Sequence, residues 1–498
     1  MSSSIRGHYA KTILEDHHRA LLGDKSTYAG GLPRPRQGSE QRDLGEPPIT
    51  VGIIGAGAAG LYASLIIDSL ADPRITYEIF DANPMRGRKG GGRLYTYEFP
   101  NGGSDDYFDV GAMRFPDIPC MKLVFDLIRD NPASPIAGLL TEDIIECQHS
   151  TPEDLSFYNG IVKSAAELSS VPPPLDPFDT KINAPASVTE TISLATESLR
   201  APFLQQPVDF QLAWANLMQW DQYSTRAYLT KVNPKCSDAI INYMETLVTS
   251  QGLFDQALSE TVMIDLIFNG GEEIKWYSIR GGTGKLADAM KSAMTKPVQY
   301  DKRAISIAPV LSSQGIKNST AESEQPRATS IDVMVAGEKK PRNYKHVIST
   351  MPFSCLRMVD TTRCGFSWNL QTAIRALHYG AGVKVGIRFS RRWWEDDSLV
   401  RGAHRGGASS TDRPARMVLY PSYGINGNTG ATLIASYTWA EDAVRIGLLA
   451  NSPSELLVVA GIIKDLADMH QMDHDVLANL VVDYKIHDWS ADDTIMGQ

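Results

Sequence analysis

Residues 49–82 read ITVGIIGAGAAGLYASLIIDSLADPRITYEIFDA, and this stretch decides the fold. The run from Ile49 to Ile54 is almost continuously apolar, as in a strand buried on both faces of a parallel sheet. Gly55-Ala56-Gly57-Ala58-Ala59-Gly60 follows, then the helix-like LYASLIIDSLA. A second strand-like run from Ile75 to Phe80 ends in Asp81 and Ala82. Strand, turn, helix and strand in this order open a doubly wound, dinucleotide-binding α/β sheet. Gly55 permits the tight turn, Gly57 lets the backbone approach a pyrophosphate, and Gly60 lets the helix pack closely on the strand. The phosphates then face the N–H groups of the helix N-terminus. A carboxylate at Asp81 suits the two hydroxyls of a ribose and repels a 2′-phosphate, which favours NAD or FAD over NADP. The glycine pattern alone is weak. A strand before it, a helix after it and an acid at the end of the next strand make it strong.

Outward from this unit, helical and strand-like segments alternate over long distances. Residues 8–23 read as a helix and 30–48 as a loop. Residues 120–279 are mainly helical in pattern, with a proline-rich break at 171–179. Strand character returns at 303–311, 331–337 and 345–352, and the polar stretch between the first two reads as a hairpin insertion. Several strands are expected from Val383 to Tyr437, then a helix near 453–470. Strands of one sheet separated by such insertions imply interleaved domains. The expected parts are 1–48, 49–119, 120–279, 280–382 and 383–498.

With 498 residues, 43% hydrophobic and 21% charged, the chain is of ordinary globular composition. Its 48 basic and 58 acidic residues give a net charge of −10, which argues against nucleic acid and anionic membrane surfaces as partners. No apolar run has signal-peptide or membrane-spanning character, so a cytoplasmic site is the expectation, with a peroxisome also open. The five cysteines are scattered and include no CxxC pair, which predicts free thiols and no metal site. There is no G-x-S-x-G, no H-E-x-x-H and no complete P-loop; GGTGKL (281–286) reads as a turn before a helix. His404 and Arg405, in a glycine-rich loop, are expected to be solvated.

Two features favour FAD. Gly90-Gly91-Gly92-Arg93 brings a cation to a second phosphate, and YFDVGAMRFP (107–116) sets the small Gly111-Ala112 turn before Met113-Arg114. A turn without bulk followed by a fixed cation suits a flat ring beside an anionic group. From spacing alone, Arg114 also suits a surface or ion-paired arginine.

Together, GAGAAGL (55–61), GGR (91–93), DVGAMRFP (109–116), WDQYSTRAYL (220–229), WYSIRGGTGKLADAM (276–290), KHVISTMP (345–352), HYGAGVKVGIRFSRRWWEDD (378–397) and GGASSTDRPARMVLYPS (406–422) resemble the flavin amine oxidase superfamily. More narrowly, they resemble its L-amino-acid oxidases. The resemblance runs from about Ile49 to the end. It implies an interleaved, glutathione-reductase-like FAD-binding domain, a mixed-sheet substrate domain and a helical domain. It implies that Gly55, Ala56, Gly57, Ala58, Ala59 and Gly60 cradle the pyrophosphate, Asp81 and Ala82 meet the ribose, and Arg93 meets the phosphates. Gly111, Ala112, Met113 and Arg114 would line the flavin, and backbone at Ala304 would touch adenine. Arg114 and Tyr437 would bind the substrate carboxylate, Trp439 would face its side chain, and Lys384 would hold a water near flavin N5. Read without the resemblance, Lys384 suits a snorkelling strand lysine, and Tyr437 and Trp439 suit the core.

The implied reaction is oxidative deamination of an L-amino acid, with O₂ as acceptor, in a homodimer. An amine oxidase and an amino-acid monooxygenase stand as alternatives. Two departures qualify the resemblance. Family members carry a further flavin-binding G-E segment after the point matched by WSADDTIMGQ, so a truncated, inactive homologue is a third reading. Residues 261–268, TVMIDLIF, also lack the histidine that some animal members place near the substrate.

Overall fold

The computed structural model describes residues 11 and 48–497, apart from 85–88, 171–175, 183–184, 186, 206–208, 233–235, 249–251, 269–273, 312–327, 401 and 426–429. The helix expected over 8–23 (Lys11 excepted), the loop at 30–47 and most of the polar insertion lie outside these residues.

Strand β1 (Ile49–Ile54) enters the glycine turn, and helix α1 (Ala58–Leu70) returns over it. Strand β2 (Ile75–Phe80) pairs parallel to β1, with Ile49 opposite Ile75 and Ile54 opposite Phe80. Ile53 and Leu61 are fully buried where strand and helix meet. Strands β3 (Lys89–Gly91), β4 (Leu94–Glu98) and β5 (Tyr107–Asp109) form an antiparallel sheet that leads into the Gly111–Arg114 turn. Strand β6 (Phe115–Pro116) follows that turn directly.

Within the segment read as mainly helical, residues 144–164 form strands β7 (Ile144–Glu146), β8 (Leu155–Tyr158) and β9 (Ile161–Ser164). These runs are short, and periodicity alone separates such strands poorly from helix. The helices α2 (Val188–Leu204), α3 (Phe210–Met218), α4 (Thr225–Val232), α5 (Asp238–Leu247) and α6 (Leu258–Phe268) come next. All but α5 close over Leu199, Trp214, Leu217, Tyr228 and Leu258, and α5 packs through Ile241 and Met244 in a separate cluster. Strand β10 (Trp276–Ile279) lies antiparallel between β6 and β7.

Helix α7 (Gly284–Ala293) then packs on the dinucleotide unit through Ala287 and Met290, and β11 (Val298–Gln299) joins β2. Strands β12 (Ala304–Leu311), β13 (Ala328–Val335) and β14 (Arg342–Tyr344) form an antiparallel sheet. The β12–β13 pair is the expected hairpin. Strand β15 (His346–Ser349) pairs parallel to β1 and completes the order β11-β2-β1-β15. The parallel sheet is thus assembled from segments almost 300 residues apart, which is the interleaving expected from the sequence.

Strands β16 (Gly382–Phe389), β17 (Ala408–Thr411), β18 (Met417–Leu419) and β19 (Thr432–Trp439) precede helices α8 (Ala440–Ala450) and α9 (Glu455–His470); β20 (Val481–Asp488) follows them. With β8 and β9 these strands make a seven-stranded mixed sheet, ordered β20-β16-β19-β18-β17-β8-β9. Its core holds Val385, Ile387, Trp393, Trp394 and Leu433, capped by Ile462 and Leu466 of α9.

His404 corrects an expectation. It is fully buried, flat against Tyr420 at 4.4 Å between ring centroids and edge-on to His470 at 5.0 Å. The apolar Trp393-Trp394 corner fixes this by taking His404 N–H onto Trp394 O, which folds the loop inward. Arg405 stays exposed as expected. Among the described residues no helix is long and apolar enough to cross a membrane.

Candidate active site

A cleft of about 1240 Å³ opens at the carboxyl end of the parallel sheet. Gly55, Gly57, Ala58, Ala59, Asp81, Ala82, Arg93, Ala112 and Ala304 line it. Of the turn residues named from the sequence, Ala56 and Gly60 lie behind this surface. Ala56 is buried and donates its N–H to Asp81 Oδ2 at 2.6 Å. A Cβ at Gly60 would stand 1.9 Å from Gly55 O, so only glycine lets α1 approach the turn. At Gly57 an added Cβ would find its nearest atom, Gly92 Cα, 3.6 Å away. Backbone is therefore bare toward the cleft, and α1 starts there without a side-chain cap. A phosphate would meet uncapped N–H groups.

Asp81 uses one lone pair of each carboxylate oxygen on the turn, because Asn83 N–H donates to Oδ1 at 2.7 Å. Carboxylate oxygens have further lone pairs for ribose hydroxyls. Arg93 is exposed and pairs with no carboxylate among the described residues. A glycine cradle, a ribose acid and a free cation along one cleft fit a dinucleotide, FAD included.

The Gly111 turn closes the other end. A Cβ on Gly111 would stand 1.7 Å from Arg93 O, and Ala112 N–H donates to that same oxygen at 3.1 Å. Lys384, at 1% exposure, sends its ammonium into this turn. Nζ donates to Gly111 O at 2.7 Å and to Asp109 O at 3.0 Å, and it reaches Met113 Sδ at 3.6 Å. These contacts hold the ammonium inside the turn. They also exclude the snorkelling alternative. Burial holds Lys384 below the usual lysine range, while the nearby Asp109 opposes that shift and Arg114 adds to it. Burial pushes Asp109 the other way, above the usual carboxylate range. Its Oδ1 accepts from Thr96 Oγ1 at 2.6 Å and from Thr283 N at 2.8 Å. Thr283 Oγ1 lies 2.7 Å from Ala112 O, so the GGTGKL turn clamps the Gly111 turn and then starts α7.

Strand register aligns the rest. Lys384 on β16 faces Tyr437 on β19 and His487 on β20, and Gly382 faces Trp439. The Tyr437 ring lies under Lys384 Nζ at 4.5 Å and against Trp439 at 4.0 Å between centroids. His487 packs edge-on against Tyr95 and Trp489.

Arg114 leaves the turn on the far side of the nucleotide cleft. With Met113 and Cys147 it borders a second cavity of about 550 Å³. Its guanidinium bonds His149 Nδ1 at 2.9 Å, and no ion pair among the described residues includes it. Burial weighs against its charge, and Cys147, Asp154 and Tyr437 offset this from a distance. Asp109, Thr96, Thr283 and His149 were not singled out in the sequence. For Asp109 and Thr283, their places inside DVGAMRFP and GGTGKL were the available signals. For Thr96 and His149 no local signal exists.

Residues 87–498 match the family described as flavin containing amine oxidoreductase. The chain belongs to this family. Its cofactor is FAD: the family is flavin-containing, and the cleft's donors fit a dinucleotide. The chain is 35% identical to a Dictyostelium discoideum protein described as a bifunctional amine oxidase, over all of this chain and 45% of that one. It therefore spans less than half the length of that relative. It is 32% identical to L-amino-acid oxidase 4 of Hebeloma cylindrosporum, over 98% of this chain and 77% of that one. Among solved structures, cyclohexylamine oxidase from Brevibacterium oxydans superposes with a TM-score of 0.61 at 14% identity, covering 91% of this chain and 87% of its own. That likeness supports the flavin amine oxidase fold.

Proposed function

We propose that this flavin amine oxidoreductase oxidises L-amino acids. The observation that carries the reading is Arg114: a largely enclosed guanidinium held by a neutral imidazole, with no carboxylate partner among the described residues. A cation in such a place is costly unless an anion arrives to complete it. A substrate carboxylate would take two parallel N–H bonds from Arg114, and the Tyr437 hydroxyl would give a further donor. Trp439, packed on Tyr437, would meet the substrate side chain.

Bound FAD would supply the two-electron acceptor chemistry between the substrate Cα–H and O₂. The net reaction consumes the amino acid, O₂ and water, and releases a 2-oxo acid, ammonia and hydrogen peroxide. This chain's residues bind and orient. Arg114 fixes the carboxylate, so that Cα has one orientation toward the cleft. Lys384 fixes the turn that carries Arg114, through its bonds to Asp109 O and Gly111 O.

The test is a peroxide assay with L-amino acids and their decarboxylated amines. Amino acids should be preferred. Arg114→Ala should lower kcat/KM for them by about 100- to 1000-fold, equivalent to about 3–4 kcal/mol. Equal turnover of the amines would reject the reading. It would favour the second one, an amine substrate, to which the description of the Dictyostelium relative points.

A further inference from the structure

Arg114 and His149 lie 35 residues apart in sequence, and one small sheet brings them together. Arg114 immediately precedes β6, and His149 stands three residues after β7. Both strands pair with β10. Trp276 on β10 sits opposite Pro116, and its carbonyl accepts Cys147 N–H at 2.8 Å. The His149 ring lies flat on Trp276, 4.2 Å between centroids and 10° between planes. Trp276 in turn lies flat on Phe268, at 5.8 Å and 9°. The stack sets the plane of the imidazole, and that plane aims Nδ1 at the guanidinium.

Arginine has donors only. Nδ1 is therefore the lone-pair nitrogen, and the ring's one proton sits on Nε2. We propose that His149 is the positioning residue of the carboxylate clamp. It holds one edge of Arg114 as a neutral acceptor and leaves the remaining donors and the full charge to the substrate. A carboxylate in its place would hold the guanidinium as firmly, but it would neutralise the cation and repel the incoming acid. The packing around Nδ1, with the Arg114 charge beside it, lowers the His149 pKa to about 4, so the ring stays neutral in ordinary buffers. The inference rests on the amino-acid reading above and adds the residue that tunes the clamp.

The experiment compares His149→Asn, His149→Ala and His149→Asp in the flavin-loaded enzyme. Each is assayed with the best amino-acid substrate and with its decarboxylated amine. Asparagine keeps a neutral acceptor near the place of Nδ1 and should retain most of the preference for the amino acid. Alanine should raise KM for the amino acid by about tenfold with kcat nearly kept, as expected when ground-state and transition-state binding fall together. Aspartate should raise it by about a hundredfold and turn the preference toward the amine. Calorimetric binding of 3-phenylpropanoate, a carboxylate without an amine, should weaken in the same order, independently of turnover. Equal unfolding temperatures separate these effects from a folding defect. An aspartate variant that binds the carboxylate as well as the asparagine variant, or an alanine variant with unchanged KM, overturns the role of His149. A wild-type enzyme indifferent to the carboxylate overturns instead the reading beneath it.

Discussion

The two glycine turns of this protein border the same cleft but are held in different ways. The Gly55–Gly60 turn is made by its own neighbours. β1 leads in, α1 leads out, and the distant contribution is Thr350, whose hydroxyl caps Ile54 O at 2.9 Å. The Gly111–Arg114 turn has almost no local frame. It is held by Arg93 O beneath, Thr283 on one side and Lys384 on the other, the last two 171 and 273 residues away. A nucleotide can be cradled by local backbone. The second turn exists only where segments far apart in the chain meet.

The comparison can be broken in three ways. The largest effect is expected from alanine at the two glycines, because each Cβ would overlap a carbonyl oxygen, at 1.9 Å for Gly60 and 1.7 Å for Gly111. Each should cost more than about 3 kcal/mol, as overpacking against backbone allows little relief. Denaturant unfolding of the two variants measures this. Gly60→Ala should abolish binding of ADP, whereas Gly111→Ala should spare it and abolish turnover. If both behave alike, the two turns are one structural unit.

Lys384→Met keeps bulk and removes the buried ammonium. It leaves Asp109 O and Gly111 O without their donor, at about 2–3 kcal/mol. ADP affinity should stay unchanged while kcat/KM falls by about 100-fold or more, because the turn that carries Arg114 loosens. Loss of ADP binding in this variant would show that the distant clamp also supports the nucleotide end.

The smallest effect is expected in the seven-stranded sheet that carries Lys384. Burial depresses His404 to about 4 and His470 well below its usual value. Between about pH 6.5 and 4 the unfolded state binds more protons than the folded state. Stability is therefore complete above about pH 6.5 and falls on acidification by up to about 1.4 kcal/mol per pH unit for each histidine. Unfolding free energies measured across that range should show this slope, and His404→Phe should reduce it. An unchanged slope would move the acid-sensitive groups away from this sheet.

The first turn could be read directly, since β1 and β2 begin and end at the residues expected and Asp81 closes β2 beside the cleft. The second turn was visible as Gly111-Ala112 before Met113-Arg114, but only the resemblance to a family attached a substrate role to Arg114 and marked Lys384. Neither route reached His149, because three residues of β7 and a stacked tryptophan leave no periodic trace. The opposite failure is His404, where a glycine-rich loop suggested solvent and two tryptophans drew it into the core.

The sequence by itself determined the dinucleotide unit, because backbone conformation, glycine placement and apolar runs act over a dozen residues and need no partner. Tertiary structure alone decided which distant groups face Arg114. A neutral imidazole instead of an acid is a fact about the register of β6, β10 and β7. Each of these pairings joins segments more than 100 residues apart, so no single turn sets their register, as it would in a hairpin.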